Sequence, residues 1–286
     1  MCGKSTLWFE IVKDSAVLLI DCPDRKGLVA SVSGLLYRLS ANILHADQHQ
    51  DPEAGLFFMR VEWDMAGFDL KAFQREFAVM AASLHMRWSV ELLSARPKVA
   101  VFVSKTLHCL IDILHQHDVA LIMGNHPDGG ALAKFYGVEF QYFEVSPASK
   151  REVEEKQLIL LRDRGIELIV LARYMQILSP EFVREHPNRI INVHHSFLPA
   201  FMGARPYHAA FQRGVKLIGA TSHYVTEALD DGPIIEQDVA RISHRDQVED
   251  LIAKGRDLER VVLSRAIKWH LERRVLCYRN KTVVFD

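Results

Sequence analysis

Val99-Ala100-Val101-Phe102-Val103 is an unbroken apolar run, and Gly165-Ile166-Glu167-Leu168-Ile169-Val170-Leu171-Ala172 repeats it with a single charge near its start. A strand with one wet face alternates apolar and polar residues; these do not, so they read as strands covered on both faces. Between them a helix is expected over Leu107 to Gln116, then a strand over Val119 to Met123, and strand and helix keep alternating. Alternation of this kind builds an open, mostly parallel α/β sheet with helices on both sides, a Rossmann-like arrangement. A long helix, about Gln247 to Glu272, and a short strand, Thr282 to Phe285, finish the chain.

Upstream the pattern differs, and it changes around Ser94-Ala95-Arg96-Pro97. Ala16 to Ile20 is a short buried strand, and Asp21-Cys22-Pro23-Asp24-Arg25-Lys26-Gly27 has turn chemistry. Leu28, Val29, Val32, Leu35, Leu36 and Leu39 fall at helical spacing on one face. Asn42 to Gln50 and Leu56 to Trp63 read as two strands joined by the polar turn Asp51 to Gly55. A second helix carries Leu70, Phe73, Phe77 and Met80, and a strand near His85 to Leu92 closes the unit. The order βαββαβ is ferredoxin-like. The expected division is 1–94 for this small unit and 95–286 for the larger α/β domain.

Composition sets outer limits. Of 286 residues, 49% are hydrophobic and 25% charged, which suits a globular protein with a sizeable core. The net charge of -1 gives no general attraction to nucleic acid or anionic membrane, so neither is expected as a partner. No apolar run approaches the roughly 20 residues of a membrane helix. Met1 to Thr6 lacks a signal-peptide core, and the four cysteines (Cys2, Cys22, Cys109, Cys277) are scattered without a CxxC. The expectation is a cytoplasmic protein with reduced thiols rather than disulfides or a zinc site.

The chemistry concentrates in Ile190-Ile191-Asn192-Val193-His194-His195-Ser196-Phe197-Leu198-Pro199. Asn192 and His194 share a strand parity and so point to one side. They sit where an apolar strand ends, the edge at which open α/β sheets bind ligands. Two donors aimed at one oxygen make an oxyanion hole. Downstream, Leu229-Asp230-Asp231-Gly232-Pro233 puts an acidic pair in a tight turn, able to bring a carboxylate to the same cleft as base or histidine orienter. Each residue also has a plainer reading: Asn192 as a turn or capping residue, Asp230-Asp231-Gly232 as a turn. His194 and His195, with His208 or His223, read alternatively as metal ligands, although the spacing is not HxxxH and no carboxylate lies inside the motif. No metal is expected.

Asn192 to Pro199, then Gly219-Ala220-Thr221-Ser222-His223-Tyr224-Val225-Thr226, then Leu229 to Ile235, together resemble the formyltransferase family that handles 10-formyltetrahydrofolate. The likeness covers about residues 97 to 280. It implies a catalytic trio at Asn192, His194 and Asp230, with Asp230 chosen over Asp231 because it follows the leucine of the motif. The family usually has proline where this chain has His195, which is left without a role. Ala172-Arg173-Tyr174-Met175-Gln176-Ile177-Leu178 looks like the family's pterin-binding loop, so Arg173, Tyr174, Met175, Gln176, Ile177 and Leu178 are expected to bind substrate. Gly124, Asn125, His126 and His223 join them by the same resemblance. The plain alternatives are a strand-to-helix turn for the first segment and a loop cap for Asn125-His126.

In nucleotide-using members a glycine-rich loop after the first strand cradles a phosphate on backbone N–H groups. Here that position reads Ser104-Lys105-Thr106-Leu107-His108-Cys109, with no glycine. Bulky Leu107 and His108 are expected to fill the amine acceptor's place, leaving water as nucleophile. The loop resembles the hydrolytic branch of the family, and with it the likeness spans essentially the whole chain. That implies release of formate, supply of formate to purine synthesis, balancing of one-carbon folate pools, and no cofactor beyond the folate substrate. The N-terminal unit resembles the ACT family of amino-acid-sensing domains, which implies an amino-acid effector near Asp24, Arg25, Gly27 and Asn42, glycine or methionine being examples. It also implies a homo-oligomer, dimer or tetramer. The alternatives are transfer to an unidentified amine, a non-catalytic folate or amino-acid sensor, and a metallohydrolase.

Overall fold

The structure, a computed structural model, describes residues 14–95, 97–199 and 206–286. The N-terminal stretch read for a signal peptide, Cys2 and Arg96 lie outside them. The chain forms two compact units: Met1–Arg96 with Glu272–Arg274 and Phe285–Asp286, and Pro97–Leu271 with Val275–Val284.

The first unit runs β1 (Ser15–Pro23), α1 (Leu28–Arg38), β2 (Ile43–Asp51), β3 (Leu56–Asp64), α2 (Leu70–Leu84) and β4 (Arg87–Leu92). Its antiparallel sheet has the order β2-β3-β1-β4, the ferredoxin-like topology. Leu28, Val32, Leu35 and Leu36 of α1 and Phe73, Phe77 and Ala81 of α2 pack on the apolar face of β1 and β3. Val29 departs from the expected stripe and is exposed, because it lies at its margin. Gly27 precedes α1 at φ 91°, a left-handed geometry that glycine takes without steric cost. His85 does not begin a strand as expected; it caps α2 in the left-handed region, and β4 starts two residues later.

The second unit runs β5 (Lys98–Val103), α3 (His108–Gln116), β6 (Val119–Gly124), α4 (Gly130–Tyr136), β7 (Glu139–Tyr142), α5 (Lys150–Arg164), β8 (Ile166–Ala172), α6 (Pro180–Glu185), β9 (Ile190–His194), α7 (Pro206–Arg213), β10 (Leu217–Tyr224), β11 (Ile234–Arg241) and α8 (Val248–Leu271). A hairpin, β12 (Val275–Tyr278) with β13 (Lys281–Val284), follows, so the expected terminal strand has a partner the sequence did not disclose. The seven-stranded sheet has the order β11-β10-β9-β8-β5-β6-β7. Strands β5 to β9 are parallel, while β10 and β11 add on antiparallel.

Alternation along β5 explains the unbroken apolar strands. Val99, Val101 and Val103 join α3 and α8 in one core, and Ala100 and Phe102 join α5 and α6 in another. Order reverses at β5, which has β8 on one side and β6 on the other. The loops leaving the carboxyl ends of these strands therefore diverge and open a crevice there.

Candidate active site

Strand β9 carries the site. Its pairing with β10 sets Asn192 opposite His223 and His194 opposite Thr221. Asn192 and His194 emerge on one side, at the strand's carboxyl end. From Tyr224 the chain turns and comes back, closed by the Tyr224 N–H donating to the Pro233 carbonyl at 2.9 Å. Gly232 makes that closure feasible, since a Cβ there would sit 1.7 Å from the Tyr224 oxygen. The Asn280 amide, in the turn between β12 and β13, donates to the Asp231 carbonyl at 2.8 Å. Within this pinned loop Asp230 adopts φ 54°, a left-handed conformation that aspartate tolerates better than most residues.

The result is a contact between residues 36 apart in sequence: His194 Nδ1 lies 3.3 Å from Asp230 Oδ2. The bond from His194 holds the Asp230 carboxyl below its ordinary 3.8, against the opposing effect of burial. Since an ionised carboxylate only accepts, Nδ1 carries the hydrogen. The other nitrogen, His194 Nε2, is buried and has no protein partner.

His223 orients Asn192. Its Nδ1 lies 2.9 Å from the Tyr224 carbonyl, which can only accept, so Nδ1 holds the hydrogen. Burial holds His223 below its ordinary 6.5, which keeps it neutral and Nε2 bare. Asn192 Nδ2 sits 3.3 Å from that bare nitrogen and donates to it. One amide N–H is thereby committed, and the other is free for a ligand. His223 Nε2 to Asp230 Oδ1, at 3.8 Å, is too long for a hydrogen bond.

These residues share a cleft of about 440 Å³ with Arg173, Tyr174, Met175, Gln176, Ile177 and Leu178. That volume suits a small-molecule ligand. Arg173 turns the chain at φ 61°. Tyr174 packs edge-on to Phe102 at 5.3 Å, while Met175 and Ile177 stay largely exposed, apolar surface left for a flat ring. Gly124, Asn125 and His126 do not line this cleft. Asn125 is buried behind it: its Oδ1 accepts from the Ser104 hydroxyl at 2.6 Å, and the Met175 N–H donates to the same hydroxyl at 2.9 Å. Gly124 is crowded by the His126 carbonyl and the Phe140 ring, with room for no Cβ. In the first unit, Asp24, Arg25 and Gly27 line a depression with Gln48, His49 and Gln50, whereas Asn42 belongs to a different one beside Tyr37.

Sequence reasoning missed a buried ionic group beside the cleft. Glu259 of α8 accepts from Tyr207 at 2.9 Å, meets His108 Nε2 at 2.7 Å, and lies 3.6 Å from the Arg173 guanidinium. Burial would raise its carboxyl, but the bonds and the Arg173 charge outweigh that and hold it below its ordinary value. A signal existed: Leu251, Gly255, Glu259 and Val262 share the buried stripe of α8, and an acid on an apolar stripe needs partners. His108, Cys109 and Glu259 converge closely enough to ligate a metal. Against that reading, Arg173 already answers the carboxylate's charge, and burial drives the Cys109 thiol upward, away from the thiolate a metal needs. Of the histidines read as alternative ligands, His194 and His223 are committed to Asp230 and Asn192. Cys22, Cys109 and Cys277 are free thiols.

Comparison with known proteins gives a consistent picture. The formyl transferase family model matches residues 97–267, and the ACT domain model matches residues 16–62. A formyltetrahydrofolate deformylase of Bacillus subtilis is 50% identical over 284 residues, spanning 96% of this chain and 95% of that protein. One from Synechocystis is 49% identical, spanning 95% and 98%. The crystal structure of a formyltetrahydrofolate deformylase from Pseudomonas syringae superposes with a TM-score of 0.93 at 43% identity, covering 97% of this chain and 96% of that one.

Proposed function

The chain belongs to the formyltetrahydrofolate deformylase family, an ACT domain joined to a formyl transferase domain, and from that premise we propose how its residues act. It hydrolyses 10-formyltetrahydrofolate to tetrahydrofolate and formate. One observation carries the mechanism: the carboxylate of Asp230, the imidazole of His194 and the amide of Asn192 converge on one side of a folate-sized cleft.

The pterin ring lies against Met175 and Ile177, with the formyl group turned toward β9. Protonated His194 donates through Nε2, and Asn192 through its uncommitted N–H, to the formyl oxygen. Water adds its oxygen to the formyl carbon and yields a proton to Asp230. The oxyanion is held by the two donors, the kind of interaction worth about a hundred- to a thousandfold in rate. The carbon–nitrogen bond then breaks, and His194 gives its Nε2 proton to the departing folate nitrogen. Asp230 then releases its proton to solvent and the bare His194 Nε2 takes one up, which restores both groups, and the products are tetrahydrofolate and formic acid.

Water is favoured over an amine because the loop after β5 offers no cradle. Ser104 is tied to Asn125 and Met175, His108 is tied to Glu259, and no residue from 104 to 108 lines the cleft. The further setting belongs to the same proposal: a cytoplasmic enzyme supplying formate for purine synthesis, a homo-oligomer, with an amino acid bound at Asp24, Arg25 and Gly27. The described helices include none long and apolar enough to cross a membrane. The deciding experiment incubates the pure protein with 10-formyltetrahydrofolate alone, with and without chelator. Stoichiometric formate and tetrahydrofolate are expected in both; dependence on an added amine or on metal would defeat the reading.

A further inference from the structure

His195 directly follows His194, and the steps above leave it unused. Its ring lines the cleft with Asn192, His194 and Asp230. It lies 5.0 Å from the His194 ring at a 33° tilt, and 6.2 Å from the Tyr207 ring. Among the described residues, neither of its nitrogens hydrogen-bonds a protein group.

The wall behind it is built. Tyr207 is held by Glu259, which also meets His108 and Arg173. Gly255 makes room for the tyrosine, since a Cβ there would lie 2.1 Å from its oxygen. Burial, then the nearby charges of Arg173 and His194, hold the His195 imidazole down at about 4. Near neutral pH the ring is therefore uncharged and presents one bare nitrogen, whichever tautomer it adopts. Its field and that of Asp230 act on each other.

We infer that His195 is a catalytic residue of the hydrolysis: its bare ring nitrogen accepts one hydrogen of the attacking water while Asp230 accepts the other. A water held by both hydrogens has its lone pairs left for the formyl carbon. In the step, the oxygen bonds to carbon, the proton on the Asp230 side transfers to that carboxylate, and the second hydrogen stays on oxygen, still bonded to His195. The ring gains and loses no proton. The carbon–nitrogen bond then breaks with protonation from His194, as above.

The inference rests on the hydrolysis reading, and a partition experiment separates the two. The parent, His195→Ala and His195→Gln are each given 10-formyltetrahydrofolate with and without hydroxylamine, and formate and formylhydroxamate are measured. Hydroxylamine attacks the same carbon and needs no hold on a water molecule. For His195→Ala we expect formate turnover to fall about tenfold or more, the value of one lost hydrogen bond, with KM within about twofold. The ratio of hydroxamate to formate should rise by a similar factor, and His195→Gln, which keeps an acceptor oxygen, should recover part of the loss. Parallel loss of both products, or an unchanged ratio, overturns the inference, because a merely structural histidine would affect both nucleophiles alike. Should His195→Ala fail to fold, the ratio for His195→Phe, which keeps a ring but no acceptor, decides by the same criterion. Failure of the parent to release formate would instead defeat the hydrolysis reading.

Discussion

At the scale of single residues, the site depends on which atoms carry hydrogens. Asp230 accepts, His194 donates, and the Asn192 amide is oriented by a neutral His223. Asn192→Ala and Asp230→Asn are each expected to lower kcat about a hundred- to a thousandfold while folate still binds. Titration of folate into each variant, followed by fluorescence, together with a formate assay, checks both halves. His195 also predicts how stability varies with pH. Its folded value of about 4 lies below the ordinary 6.5, so the unfolded chain takes up the proton first. Stability is unaffected above about 6.5 and is lost as pH falls from there toward 4. On that account His195→Gln should lose roughly 2 kcal/mol less than the parent over this interval. Urea unfolding at pH 7 and pH 4.5 measures the difference, with His186 and His223, also held low by burial, contributing equally to both proteins.

At the scale of elements, the carboxyl ends of β5, β6 and β8 are joined by a single hydroxyl. Ser104 donates to Asn125 after β6 and accepts from the Met175 N–H after β8. Ser104→Ala would leave the buried Asn125 carbonyl without its donor and remove the acceptor of the Met175 N–H, a loss of about 1–3 kcal/mol. Because Met175 lines the cleft and is proposed to meet the pterin ring, KM for folate should rise several-fold while kcat changes less. Steady-state kinetics and thermal melting test this. The same bond explains what the sequence could and could not disclose about Asn125. The family resemblance marked it for the site. Whether its side chain faces ligand or a neighbouring loop depends on Ser104, 21 residues away. Glu259 is the converse case, legible as an oddity on an apolar helix face but without any hint that His108, Tyr207 and Arg173 would meet it.

At the scale of the molecule, the two units differ in what remains open at their surfaces. Strand β2 forms one edge of the N-terminal sheet, and most of its residues are exposed. An edge of unpaired backbone groups invites pairing with another chain. A mass two or four times that of one chain is expected by light scattering; a monomer at working concentration would remove the oligomer proposal. Glycine and methionine, titrated calorimetrically into the intact protein, test the depression at Asp24, Arg25 and Gly27. Arg25→Ala should abolish any heat the parent shows.

Local pattern determined the two fold classes, the order of strands and helices, the shared side of Asn192 and His194 and the acidic pair in a turn, while the resemblance singled out Asp230. Strand parity, helical spacing and turn chemistry are properties of neighbours in the chain, and apolar runs declare which surfaces are buried. Only the tertiary structure decided that Asp230 turns back onto His194, that Asn125 serves Ser104, and that Glu259 anchors the wall beside His195. Those contacts join residues 36, 21 and 52 positions apart, and they depend on sheet order and on loops closed by backbone hydrogen bonds. No periodicity encodes such a meeting. It follows from packing, which brings distant polar groups together because burying one without a partner is costly.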